Sequence, residues 1–219
     1  MKWIVGAGSA AHAFWLGTFE TKERATFEKA VRRGNVVFDI GASAGFYTLL
    51  ACVLAGERGK VFAFEPLPSN VSFLKSHLKL NGITNATVIE AAVAEHDGTA
   101  RFETTANPSM GFLSPRGSLE VKTVSLDELV SRGEIPAPDC MKIDVEGAEV
   151  SVLRGAKGLL AHHSPAILLA THGRPQHQEC LQFLTSLGFT VKVLSDGPNA
   201  RGEMRGAIFA RRSEEPVIG

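Results

Sequence analysis

The sequence has no surplus of either charge, since lysine plus arginine and aspartate plus glutamate number 23 each over 219 residues. No global field would gather nucleic acid or an anionic membrane around such a chain, so neither is an expected partner. Cysteine is scarce. Cys52, Cys140 and Cys180 stand far apart in apolar or helical contexts and form neither a CxxC pair nor a metal-ligand pattern. They read as reduced, buried thiols, which suits a cytoplasmic protein. A long hydrophobic run is also missing: the moderately apolar stretch over residues 3–16 is interrupted by Gly6, Gly8 and His12, too short to span a bilayer and unlike a cleaved signal. Internal repeats and low-complexity segments are absent.

What is present suits one substantial core, with 44% hydrophobic and 21% charged residues. Short β-branched or aromatic runs alternate with longer helical patterns, which predicts an α/β fold with a parallel sheet covered by helices. An entry segment and helix occupy residues 1–33, and the main domain runs over 34–219. Within it the spacing predicts strands over 36–40, 61–64, 87–91, 140–144 and 165–170, with a closing antiparallel hairpin over 189–194 and 206–210. Helices are expected over 21–33, 45–55, 68–80 and 176–187. A small β insertion at about 98–124 pairs 100–103 with 119–124 around a loop over 104–118, rich in Pro, Gly, Ser and Asn, which is a candidate substrate lid. Ser125 with Glu128 predicts a capping box on a helix over 125–130. His12, His77, His96, His162, His163 and His177 fall on predicted loops and helix surfaces and read as solvated.

The most informative segment is Val36-Val37-Phe38-Asp39-Ile40-Gly41-Ala42-Ser43-Ala44-Gly45. Small residues stand where a strand must turn into a helix, and Gly41 and Gly45 let backbone approach a ligand. The next strand ends in Glu65, 20 residues after Gly45, the spacing of an acid that binds ribose hydroxyls. Two strand tips thus converge on one nucleoside. Asp39 at the mouth of the loop suits an adenosyl cofactor without a diphosphate, which a carboxylate there would repel. A competing dinucleotide motif lies in Val5-Gly6-Ala7-Gly8-Ser9-Ala10-Ala11, but its acid, Asp39, arrives 28 residues after Ala11 and it leaves Glu65 unexplained.

Five segments, in order, carry a resemblance to a known family: Trp15-Leu16-Gly17-Thr18-Phe19-Glu20, the run from Phe38 through Phe46-Tyr47-Thr48, Phe64-Glu65-Pro66, Val124-Ser125-Leu126-Asp127, and Lys142-Ile143-Asp144-Val145-Glu146-Gly147-Ala148-Glu149. Together they resemble the FkbM methyltransferases, and the last octapeptide is the most specific piece. The resemblance implies a Rossmann-like class I fold, a seven-stranded mostly parallel sheet in order 3-2-1-4-5-7-6 with strand seven antiparallel. It also implies S-adenosyl-L-methionine as cofactor, with S-adenosylhomocysteine as product, and methyl transfer to a hydroxyl oxygen of a sugar or natural-product-type small molecule. The implied cofactor site comprises Asp39, Gly41, Ala42, Ser43, Gly45, Tyr47, Thr48, Glu65, Pro66, Asn70, Ala92 and Asp144. Two positions depart from the family pattern: Ser43 stands where asparagine is usual, and Ala170 where an acid often precedes the histidine.

In a parallel α/β sheet the ligand sits outside the carboxyl ends of the strands, so Asp144, Glu146 and His172 should face the same crevice as Gly41. They are the catalytic candidates. Lys142 and Asp144, two apart on a strand, share a face and can pair. A histidine near neutrality can take the proton of a hydroxyl acceptor, which assigns His172 as base and Asp144 as orienter or alternative base. The same three side chains offer Mg²⁺ ligands, the less favoured reading because no further ligand-rich cluster appears. Glu20 reads as an exposed cap near the entry helix or as an acid reaching the acceptor. N-methylation and a catalytically silent adenosyl-binding module are the alternatives, the former lacking its Asn-Pro-Pro-Tyr-like tetrapeptide after strand four. The assembly is expected to be a monomer or homodimer.

Overall fold

The alternation of strands and helices closes into one mixed sheet. In the computed structural model, which describes residues 1–4, 20–104, 111–198 and 202–212, helix α1 (Thr21–Ala30) leads to β1 (Val36–Ile40), α2 (Phe46–Ala55), β2 (Lys60–Phe64), α3 (Pro68–Leu80) and β3 (Ala86–Ile89). Four short strands follow, β4 (Ala92–Val93), β5 (Gly98–Thr104), β6 (Gly111–Leu113) and β7 (Leu119–Val124). The chain continues through α4 (Leu126–Ser131), β8 (Cys140–Ile143), α5 (Glu149–Arg154), α6 (Lys157–His162), β9 (Ala166–His172), α7 (Arg174–Ser186), β10 (Thr190–Pro198) and β11 (Met204–Arg211). The main sheet runs β10-β11-β9-β8-β1-β2-β3, the Rossmann-like order expected, and β11 is antiparallel to both neighbours. Among the described residues no helix is long and apolar enough to cross a membrane.

Strands buried on both faces need apolar side chains throughout, and β1 and β8 have them, with Phe38 opposite Met141 and only Asp39 and Lys142 charged. Phe38, Ile40, Phe64, Met141, Ile143, Leu153, Leu169 and Ile208 form the largest cluster, each 0–1% exposed. Burying one such side chain stabilises the fold by about 1.5–3 kcal/mol, so the sheet centre is the rigid frame on which the strand tips are held. Helix α2 is apolar nearly all round and packs its buried Leu49, Leu50 and Cys52 against the sheet. All three cysteines are free and buried, and burial pushes each thiol up to about 12.

Local differences from the sequence reading have local causes. Helix α1 stops at Ala30 because Val31 turns extended and buries its side chain at 5% exposure. The run over 87–91 breaks at Ile89, and Ala92–Val93 pairs instead with β7 in a second sheet of order β4-β7-β5-β6. The supposed irregular loop contains β6, whose Leu113 pairs with Phe102. No capping box forms at Ser125: its hydroxyl donates to the Gly155 carbonyl at 2.9 Å, tying α4 to the end of α5. Helices α5 and α6 are six residues each, too short to display a periodic stripe.

Two histidines read as solvated are interior. His77 accepts the Ile4 N–H at Nε2, contacts the Ala44 carbonyl through Nδ1 and stacks on Trp3 at 3.9 Å. Burial lowers its pKa, partly offset by the Ala44 carbonyl. His177 is 7% exposed and meets the Thr171 hydroxyl at 2.8 Å. The glycine run over 5–11, His12, most of the segment over 15–20 and the centre of the lid loop at 105–110 lie outside the described residues.

Candidate active site

At the tip of β1 the chain must turn within reach of β8. A Cβ on Gly41 would lie 1.9 Å from the Asp144 carbonyl oxygen, and Gly41 has φ +81°, so only glycine fits. Gly41 and Ala42 donate to the Phe64 carbonyl, each at 3.0 Å, folding the loop onto the end of β2. Ser43 stands at φ +50°, left-handed backbone for a side-chain-bearing residue, and its N–H donates to Glu65 Oε2 at 2.8 Å. The other Glu65 oxygen accepts the Leu67 N–H at 2.9 Å and the Asn70 amide at 3.2 Å.

Both strand-tip acids are buried, Asp39 at 2% and Glu65 at 4% exposure. Burial raises both pKa values. For Asp39 it outweighs the Thr48 hydrogen bond and the Lys142 ammonium, leaving the carboxyl at about 6. For Glu65 it outweighs the three donors just named. Thr48 donates to Asp39 Oδ2 at 2.5 Å.

The tips of β8 and β9 supply the other wall. Lys142, 2% exposed, lies 3.3 Å from Asp144 Oδ2 and 4.9 Å from the centre of the Tyr47 ring. Burial works against both charges, but mutual attraction wins: the Lys142 pKa is raised and that of Asp144 lowered. Tyr47 in turn donates to Glu20 Oε2 at 2.8 Å, so the acid before α1 does reach the site. Glu146, in left-handed backbone at φ +51°, turns its carboxylate toward His172 Nε2 at 3.2 Å and Arg205 Nη2 at 3.0 Å. His172 Nε2 is also 3.6 Å from Asp144 Oδ1, and Nδ1 is 2.6 Å from Glu149 Oε1. Burial alone would lower the His172 pKa, yet the surrounding carboxylates carry it above the ordinary value.

One cavity joins these walls. Asp39, Gly41, Ala42, Ser43, Gly45, Tyr47, Glu65, Pro66, Asn70, Ala92, Asp144 and Glu146 all line it. Thr48 does not: it is fully buried and reaches the cavity only through Asp39. His172 sits behind Glu146 and Asp144, at 12% side-chain exposure. Gly111 and Leu113, from the segment read as a candidate substrate lid, also line the cavity, as do Trp3, Phe102 and Arg205, which were not foreseen. Trp3 and Phe102 depend on long-range packing, and Arg205 arrives because β11 pairs it with His172. Glu149 lay in view within the octapeptide, but its contact with His172 spans 23 positions.

Asp144, Glu146 and His172 each offer one ligand atom within 4.8 Å of the others, a spacing compatible with a divalent ion. Two cations are already there, however, since Lys142 holds Asp144 and Arg205 holds Glu146. A metal ion would add to that positive charge, so the donor set fits one poorly.

The chain matches the profile of the "Methyltransferase FkbM domain" over residues 39–191. It is 35% identical over 130 residues to hexuronic acid methyltransferase AglP of Haloferax volcanii, covering 58% of this chain and 52% of the relative. The chain therefore spans about half the length of that curated relative. Among solved structures, precorrin-6y C5,15-methyltransferase from Geobacter metallireducens superposes with a TM-score of 0.58 at 19% identity, covering 87% of each chain. A methyltransferase FkbM from Methylobacillus flagellatus gives 0.57 at 16% identity, over 92% of this chain and 53% of that one. At such identities these two structures speak to the fold alone.

Proposed function

The chain belongs to the FkbM methyltransferase family, and on that premise we propose that it is an S-adenosylmethionine-dependent O-methyltransferase acting on a hydroxyl of a sugar or natural-product-type small molecule. The observation that carries this reading is the charge of the cavity: Glu20, Asp39, Glu65, Asp144 and Glu146 line it against only Lys142 and Arg205. Such walls suit a cationic nucleoside and repel a diphosphate. In this reading Glu65 accepts hydrogen bonds from the ribose hydroxyls and Asp39 balances the sulfonium charge; both line the cavity. The hexuronic acid methyltransferase relative supports a sugar acceptor.

S-adenosylmethionine, when bound, supplies an activated methyl carbon. The protein's part is to hold an acceptor hydroxyl in line with it, which removes much of the entropic barrier. That donor would leave the acceptor's hydroxyl proton to the protein: Asp144 and Glu146 at the cavity wall would meet it, with Nε2 of His172 behind them as the base that takes it up. Asp144 and Glu146 orient that imidazole and balance its charge. No metal takes part in this scheme.

Calorimetry tests the cofactor assignment directly: S-adenosylhomocysteine should bind and NAD should not, and the reverse preference would overturn the reading. Methyl-labelled S-adenosylmethionine offered with a panel of uronic acids and neutral sugars, with and without EDTA, tests the acceptor. Label appearing only on nitrogen acceptors, or activity abolished by EDTA, would contradict the proposal.

A further inference from the structure

We infer that Glu149 is the positioning residue of the acceptor-side histidine, taking the Nδ1–H of His172 and thereby fixing the tautomer that presents Nε2 to Asp144 and Glu146, the two acids between the ring and the cavity. This rests on the methyl-transfer reading only for its purpose; the contact itself is structural. Glu149 is fully buried at the start of α5, and its Oε1 accepts the Gly147 N–H at 2.8 Å and meets His172 Nδ1 at 2.6 Å. Its other oxygen, Oε2, is buried with no hydrogen-bond partner among the described residues. A buried carboxylate so placed needs a compensating charge.

Three acids face His172, and they are not equivalent. Asp144 is held by Lys142 on its own strand, and Glu146 by Arg205 from β11. Among the described residues Glu149 has no lysine or arginine partner, so His172 is its counter-charge. The two ring nitrogens therefore differ in how firmly they hold a proton. Nδ1 faces an unshared, fully buried carboxylate at 2.6 Å, whereas Nε2 faces two carboxylates at 3.2 and 3.6 Å that already carry cations. When the imidazolium loses a proton it loses the one on Nε2. The lone pair left behind points toward Asp144 and Glu146 at the cavity wall, the state a base requires.

An acid in the first turn of a helix also has an ordinary explanation, attraction to the helix dipole. That role would be indifferent to the His172 tautomer, which makes the tautomer the deciding measurement. Nitrogen-15 NMR of histidine-labelled protein, titrated across pH with and without S-adenosylhomocysteine, reports the protonation and tautomer of His172. In the wild type the neutral ring should carry its proton on Nδ1. In Glu149→Gln, an isosteric change, the His172 titration should shift to lower pH and the Nδ1–H preference should be lost. A neutral wild-type ring protonated on Nε2, or an unchanged titration in a folded Glu149→Gln protein, overturns the inference; if that variant does not fold, the wild-type tautomer decides. Failure of S-adenosylhomocysteine to bind would sink the methyl-transfer reading and leave the tautomer result standing.

Discussion

Glu65 accepts the backbone N–H of Ser43 at 2.8 Å, so the acid at the tip of β2 holds the glycine loop in shape as well as facing the cavity. Glu65→Ala removes both functions. It should weaken S-adenosylhomocysteine binding by about 1–3 kcal/mol, roughly five- to 150-fold, through lost charge-assisted hydrogen bonds. Amide exchange at Ser43 should accelerate at the same time. An unchanged dissociation constant by calorimetry would count against any role for Glu65 at the ribose.

Ser43 itself carries strain that can be relieved. Left-handed backbone disfavours a serine but is tolerated by asparagine, the residue usual at this position in the family it resembles. Ser43→Asn should therefore stabilise the protein by up to about 1 kcal/mol, seen as a rise of about 2–4 °C in the melting temperature. A lower melting temperature would show that the αL turn is not the limiting strain.

Gly41 and Gly147 separate backbone strain from close approach. Both have positive φ, but a Cβ on Gly147 meets nothing within 4 Å, whereas one on Gly41 strikes the Asp144 carbonyl. Gly147→Ala should lose about 1–3 kcal/mol from conformation alone. Gly41→Ala should lose more and also abolish S-adenosylhomocysteine binding, because β1 and β8 must part to admit the methyl group. Equal losses in urea melts would contradict this account.

Asp39 should trade stability for binding. Its folded pKa of about 6 lies above the ordinary 3.8, so its favourable contribution is present below about pH 4 and lost as pH rises through 6. Asp39→Asn should therefore stabilise the ligand-free protein above pH 6 by up to about 3 kcal/mol, with little difference near pH 4. Its affinity for S-adenosylhomocysteine should fall. A variant less stable than the wild type at pH 7.5 would show that ionised Asp39 is better compensated by Lys142 than burial suggests.

His172→Ala should lower turnover by about 10²–10⁴-fold and spare cofactor affinity. In the wild type the rate should climb with pH through a midpoint above 6.5, the ordinary histidine value, because only the neutral ring accepts a proton. That limb should vanish in the variant. Full activity in His172→Ala would remove it as the base.

The alternation of strands and helices and the glycine turn at the tip of β1 were legible because they rest on local chemistry, β-branched runs buried on both faces and small residues where a strand turns into a helix, whereas the sheet order followed from the family resemblance. Pro68–Leu80 was readable to the residue, having proline in its first turn and Gly82 after its cap. What escaped depends on partners distant in the chain. Nothing near Ser125 says that its hydroxyl will prefer Gly155, 30 positions away, to its own helix. His77 looks polar on a helix and becomes interior only because residues 1–4 fold back across it. In the second sheet the antiparallel pairing of 100–103 with 119–124 was legible, but β6 was not, since three residues, Gly111–Leu113, carry too few side chains to announce a strand.

The stack of Trp3 on His77 gives the protein an optical reporter of its own cavity. An indole in face-to-face contact with an imidazole changes its emission when either ring moves, and this indole also borders the space beside the glycine loop. With Trp15 replaced by phenylalanine, leaving Trp3 as the single indole, ligand entry can therefore be followed by tryptophan fluorescence without a dye.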